Sequence, residues 1–280
     1  MALPSGAAVA LLGLASAASF GTADFSGGVA ARRAHVFGVL TVARCCGLLL
    51  MLAMAGMTRE PLPSTRAITW ACAAGIVGGL ALPAFYRALA VGKMGIAAPV
   101  TSVLSAALPV IVAALTQGLP RFVQVAGLLL ALLALWFISR PEGDLRPEGL
   151  GLAILAGLGF GGFLVFIRQA GTEGVYWPMS AALAASLALG AAILVVQRGS
   201  LPAMAVLPVV FVAGVLDTLG NVFFVLASQR GRLDVAAVLS SLYPAVTVLL
   251  ARLVLKERIT RIQTAGMAAA LIAVPLIAAH

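Results

Sequence analysis

Charge is what this sequence has least of. Among its 280 residues only 18 are Lys or Arg and 9 are Asp or Glu, so charged residues make up 10% of the chain. A soluble domain carries about 25%. With so few charges a fold cannot cover a water-facing surface, which excludes a single soluble domain. The 62% hydrophobic content excludes disorder as well.

Other scarcities exclude chemistry. There are two histidines, His35 and His280, one in a loop and one at the chain end. No H-E-x-x-H, G-x-S-x-G or paired-acid motif occurs, so no catalytic residue, metal ligand or cofactor is expected. The glycine-rich segments 75–79 and 157–162 do not lead into Lys-Ser/Thr and are not phosphate loops; they suit close helix contact. Cys45, Cys46 and Cys72 lie inside apolar runs without a C-x-x-C pair and read as small packing residues. No Lys or Arg precedes Arg32, so the first apolar run lacks the basic flank of a cleavable signal and reads as a permanent helix. The net charge of +9 is spread thinly between apolar runs. That pattern decorates membrane loops and does not build a nucleic-acid surface.

What the sequence does have is long apolar runs. A membrane-spanning helix needs about 20 predominantly apolar residues. Runs bounded by charge, Pro or Gly fall near residues 6–28, 35–57, 67–90, 95–116 and 121–139, then near 148–168, 177–196, 206–228, 234–255 and 261–279. They are continuous, not alternating, which argues against a β-barrel. The expected fold is therefore an all-α polytopic membrane protein with ten transmembrane helices. The most polar stretch, RPEGDLRPE from Arg140 to Glu148, divides it into a first unit, 1–139, a linker, 140–147, and a second unit, 148–280.

The two units match in one register. At an offset of 139, Gly92 meets Gly231, Lys93 meets Arg232, Ser102 meets Ser241, and Gln124-Val125-Ala126-Gly127 meets Gln263-Thr264-Ala265-Gly266. That is best explained by duplication. Five spans per unit is an odd number, so the second unit crosses the membrane in the opposite sense. Two five-helix inverted-topology repeats are the architecture of secondary transporters with a site between the halves. Both termini then lie on one side. Loops on that side carry six basic residues and the opposite loops nine, which leans weakly towards termini outside.

Two stretches carry a family resemblance. FYRALAVGKMGIAAPVTSVLSAALPVIVAAL (85–115) and, more closely, VAAVLSSLYPAVTVLLARLVLKERITRIQTAGMAAALIA (235–273) resemble helix hairpins of the drug/metabolite transporter superfamily, EamA-like family. GTADFSGGVAARR (21–33) resembles a bacterial subgroup of that family. The first unit departs from the pattern, with Gln117-Gly118 where the second has Lys256-Glu257, and Ser105 in place of Pro244. The resemblance implies a carrier of small metabolites in a bacterial-type inner membrane, with cytoplasmic termini and no cofactor, working as a monomer or homodimer.

Polar residues inside the runs are the candidate site, because a charge at bilayer depth costs about 2.5–3.5 kcal/mol on insertion scales. Asp24 ends the first span, and Arg44 lies two turns into the second, where it can pair with Asp24. Asp217 and Asn221 lie four residues apart in the eighth span and are expected to face one solvent-filled cavity. Tyr86 stands at a cavity edge. Pro99 and Pro244 are expected to interrupt the fourth and ninth spans beside Ser102, Ser241 and Tyr243. Asp234 reads as the N-cap of the ninth span. The expected cavity is central, lined by the first, third, fourth, sixth, eighth and ninth spans. Both carboxylates and an arginine there would suit amino-acid-like zwitterions, with export favoured by the resemblance. The alternatives are a membrane-embedded enzyme and a carrier for lipids or nucleotide sugars.

Overall fold

An apolar run out of reach of water must satisfy its own backbone, and the α-helix does so within one segment. The computed structural model of the chain describes residues 5–91, 94–139, 149–256 and 260–278; the side chains of residues 5, 86, 87, 89–91, 94–99, 139 and 278 fall outside that description. Among the described residues the fold is all-helical, without a strand. The helices are α1 (Ser5–Ala31), α2 (Val36–Thr58), α3 (Thr65–Val91), α4 (Met94–Gln117), α5 (Phe122–Ser139), α6 (Leu150–Ala170) and α7 (Tyr176–Val196). After a 3₁₀ turn at Met204–Val206 come α8 (Leu207–Arg230), α9 (Leu233–Ser240), α10 (Tyr243–Leu255) and α11 (Arg261–Ala278). Eight described helices are long and apolar enough to cross a membrane, counting Leu233–Leu255 as one. The shorter apolar helices Phe122–Ile138 and Arg261–Ile277 accompany them. Phe122, Leu119 and Val196 are more than four-fifths exposed, an outer surface suited to lipid.

The two prolines expected to break helices behave differently. Pro244 has no N–H to return to Ser240, and the helix divides at Ser241-Leu242. Across the break the Leu242 and Ala245 N–H groups reach back only three residues, to Leu239 (3.2 Å) and Leu242 (3.0 Å). Pro99 does not interrupt its helix; α4 runs unbroken from Met94 to Gln117. As the sixth residue, Pro99 removes a donor just past the first turn, where one lost bond does not divide a helix.

Asp234 is not the N-cap. Arg232 holds that position, and Asp234 lies inside α9, fully buried. Its carboxylate accepts from the Val235 N–H (2.8 Å) and from the Arg232 guanidinium (2.8 Å). Arg232 also donates to the Gly118 carbonyl (2.7 Å), while the Gln117 side chain accepts the Leu233 N–H (3.2 Å). The end of α4 is thus tied to the start of α9, and Gln117 supplies the cap.

Helix pairing has a simple form. α1 packs on α8 and α3 on α6; α2 meets α7, and α5 meets α11. α4 packs on α6, and α9 and α10 on α1; α3 also meets α7, and α2 meets α8. Exchanging α1–α5 for α6–α11, with α9 and α10 as one element, leaves these pairings unchanged. Individual contacts follow the same exchange at an offset of 139. A Cβ on Gly75 would stand 2.1 Å from the Ala182 carbonyl oxygen, and one on Gly214 would stand 2.4 Å from that of Ala43. A Cβ on Gly127 would lie 2.9 Å from the Ile277 nitrogen, and one on Gly266 would lie 2.8 Å from the Ile138 nitrogen. Gln124 Oε1 accepts the Arg121 N–H (3.2 Å), as Gln263 Oε1 accepts the Thr260 N–H (3.0 Å).

Candidate functional site

Where α1, α2 and α8 meet, the structure gathers three of the charges found within apolar helices, Asp24, Arg44 and Asp217. Gly47 and Gly214 let α2 and α8 approach closely; a Cβ on Gly47 would stand 2.1 Å from the Thr218 hydroxyl. This brings the Arg44 guanidinium onto the Asp217 carboxylate as a hydrogen-bonded ion pair. Arg44 therefore pairs with Asp217, not with Asp24 as the sequence suggested. The two side chains are 26% and 30% exposed.

Asp24 lies on α1 within electrostatic reach of both members of that pair. It is exposed, and among the described residues it makes no hydrogen bond or ion pair. Two carboxylates thus lie within electrostatic reach of one guanidinium, and only Asp217 is bonded to it. Asn221 does not join Asp217 at that surface. It is 3% exposed, and its amide N–H donates to the Asp217 carbonyl (2.9 Å). Its Oδ1 has no partner. The four-residue spacing put both on one face as expected, but Asn221 sits a turn deeper, under the packing of α8.

Tyr243 opens α10, within electrostatic reach of Asp24 and close to Ser102. Its ring meets Phe20 edge-on, with centroids 6.3 Å apart. Thr247 ties α10 to α1 through the Gly21 carbonyl (3.1 Å). Ser102 and Ser241 are buried, at 6% and 3% exposure, and Pro244 is the second residue of α10. Ser102, Tyr243 and Asp24 are thereby brought together. Tyr86 and Pro99 belong to α3 and α4, but their side chains lie outside the described residues.

A small pocket of about 20 Å³ opens beside the cluster, with Arg44 in its wall. It lies between α2, α3 and α7 and is otherwise lined by apolar and small residues such as Gly78, Pro83 and Gly190. Of the helices expected around a cavity only α3 contributes to it; α2 and α7 supply the rest.

Two residues that the sequence reading passed over organise the end of the bundle where α2, α3, α6 and α7 connect. The Glu60 carboxylate accepts the N–H groups of Val175 (2.6 Å), Tyr176 (2.9 Å) and Trp177 (2.8 Å), capping α7. Glu173 returns the contact by accepting the Ser64 N–H and hydroxyl, each at 2.7 Å, where α3 begins. Those two donors hold the Glu173 carboxyl below the usual carboxylate range. The available signal was their rarity: each is one of only nine acidic residues.

Residues 147–279 match the family model of the EamA-like transporter family. Over that stretch, just under half of the chain, the sequence is similar to the EamA-like transporter family. The family is part of the drug/metabolite transporter superfamily, and with the apolar helices it makes this a multi-pass membrane protein. The EamA-like half contains Asp217, Asn221, Ser241, Tyr243 and Pro244, whereas Asp24, Arg44 and Ser102 precede it. The whole chain also superposes on a solved crystal structure with a TM-score of 0.78 and 18% identity, covering 96% of each chain; that likeness is one of fold. No curated protein matches the sequence significantly.

Proposed function

We propose that the protein is a secondary transporter of small metabolites, built from two inverted repeats of five spans each, residues 1–139 and 148–280, and working by alternating access. Ten spans are counted when α9 and α10 form one interrupted helix. The pairing of helices and the glycine contacts recurring at an offset of 139 support the duplication. An odd number of spans per repeat supports the inversion.

The observation that carries the reading is the Arg44–Asp217–Asp24 cluster. Elements on both sides of the 140–147 linker build it, and its side chains are partly exposed. Keeping such charges inside apolar helices costs insertion energy that a merely structural helix avoids. Amino-acid-like zwitterions are the cargo we would test first, with export as the working direction, termini on the cytoplasmic side and a bacterial-type inner membrane as the location. The cavity-edge role of Tyr86 and the break at Ser241–Pro244 belong to the same proposal.

The test is counterflow in proteoliposomes across a panel of labelled amino acids, amines and nucleotide sugars. Saturable exchange of one class, lost in Arg44→Met, is expected. Equal exchange in empty and loaded liposomes across the panel would sink the transporter reading.

A further inference from the structure

The charges of the cluster do not balance, and the imbalance has a definite place. Arg44 is engaged by Asp217. Asp24, on the neighbouring helix, has neither an ion-pair nor a hydrogen-bond partner among the described residues and is exposed. A carboxylate in a low-dielectric setting attracts whatever cation can reach it. A second observation points the same way. Asn221, one turn from Asp217 on the same face, turns its N–H group to the Asp217 carbonyl and keeps a buried oxygen without a donor. Asp24 therefore lacks a positive partner, and Asn221, buried in the fold, lacks only a hydrogen-bond donor. A ligand carboxylate would find Arg44 already paired and would approach two existing carboxylates.

We infer that the site recognises the ammonium end of its cargo, with Asp24 as the counter-ion, and that a carboxylate on the cargo contributes little to binding or opposes it. This rests on the transporter reading and narrows it, from zwitterions in general to ligands whose positive charge is what the protein reads. Asp217 is then a positioning residue. It holds Arg44 away from Asp24, so that Asp24 stays open to the ligand. Tyr243, within reach of Asp24 and packed edge-on against Phe20, offers the cargo an aromatic face beside that carboxylate.

The experiment uses the full chain purified in detergent and three matched sets of probes. Each set holds an amino acid, its decarboxylated amine and its deaminated acid: leucine, isopentylamine and 4-methylpentanoate; phenylalanine, phenethylamine and 3-phenylpropanoate; lysine, cadaverine and 6-aminohexanoate. Calorimetric titration should show, in at least one set, the amine binding as tightly as the amino acid or more tightly. 4-Methylpentanoate and 3-phenylpropanoate, which carry no ammonium, should not bind. These ratios are read on the unaltered protein and need no variant to fold. Asp24→Asn should weaken the amine at least roughly ten-fold, the order expected when one charge-assisted contact is lost, and Asp24→Glu should recover part of it. Binding of amino acid or acid without the amine would assign recognition to Arg44 and overturn the inference. So would amine binding unchanged by Asp24→Asn, or no amine binding in any set. Flux in liposomes separates the two readings: amine binding without exchange of any probe overturns transport but leaves the ammonium site standing. Exchange of amino acids unaffected by Asp24→Asn does the reverse.

Discussion

Two groups of three helices occupy corresponding places in this fold: α1, α2 and α8 in one, α6, α7 and α3 in the other. Their packing is alike. Gly214 admits the Ala43 carbonyl in the first as Gly75 admits the Ala182 carbonyl in the second. Their chemistry is not. The first holds Asp24, Arg44 and Asp217 within its helices. In the second, Gly78 stands where the offset of 139 places Asp217, and its neighbour is the Phe163 ring. The acids of the second group lie instead in its connections, where Glu60 caps α7 and Glu173 holds Ser64. Backbone geometry has been kept in both groups, while charge has been placed inside one and at the end of the other. The proposed transport function, which draws on an intramembrane charge, places its site in the first group.

The strongest way to break this comparison is to attack the shared geometry. Gly75→Leu and Gly214→Leu each put a side chain into a backbone carbonyl, an overpacking that costs more than about 3 kcal/mol. Both should abolish a monodisperse peak in size-exclusion chromatography to a similar degree. If one variant stays folded while the other is lost, the two groups are not equivalent in packing.

The next test sharpens the chemical difference. Arg44→Met leaves two carboxylates uncompensated. Removing one partner of a buried pair costs about 3–5 kcal/mol, and the partial exposure of this pair places the loss near the lower figure. Arg44→Met combined with Asp217→Leu should recover most of the thermal stability, since an apolar pair of similar volume often replaces an ion pair without loss. Counterflow should stay lost in the double variant. Restored exchange would make the ion pair structural and remove it from the site.

How far the sequence revealed these two groups depends on the kind of signal. The helices were legible because apolar runs of this length have one backbone solution. The glycine-rich segments were legible too: Gly75, Gly157 and Gly161 all stand against neighbouring helices. Asp24, Arg44 and Asp217 stood out because charge is rare here. Which carboxylate takes the arginine was not legible, since it is set by the approach of α2 to α8 through Gly47 and Gly214, 167 residues apart. The burial of Asn221 was hidden for a related reason. Helical spacing gives a direction around the axis and says nothing of depth in the bundle. Pro99 and Pro244 are the same residue type with different outcomes, and interior position alone does not decide it, since Pro83 and Pro275 lie inside α3 and α11 without dividing them.

The smallest effects belong to the connections of the second group, where the comparison predicts stabilisation without a role in cargo binding. Glu60→Gln keeps the side chain but removes the charge that three N–H groups of α7 face. A loss of about 1 kcal/mol is expected, typical of a weakened N-terminal cap. Glu173→Gln should do less, because the residue is exposed and meets Ser64 alone. It offers a pH signature instead. Its carboxyl is held below the usual range in the folded protein, so its contribution is complete at neutral pH and fades as pH falls through that lowered value. Thermal melts of wild type and Glu173→Gln should therefore differ slightly at pH 7 and converge towards pH 3. A gap that widens on acidification would mean that the neutral acid, not the carboxylate, makes the contact with Ser64. In both variants the binding ratios of the amine and amino-acid probes should equal those of the wild type. A change in those ratios would carry recognition into the second group and end the division of labour between the two.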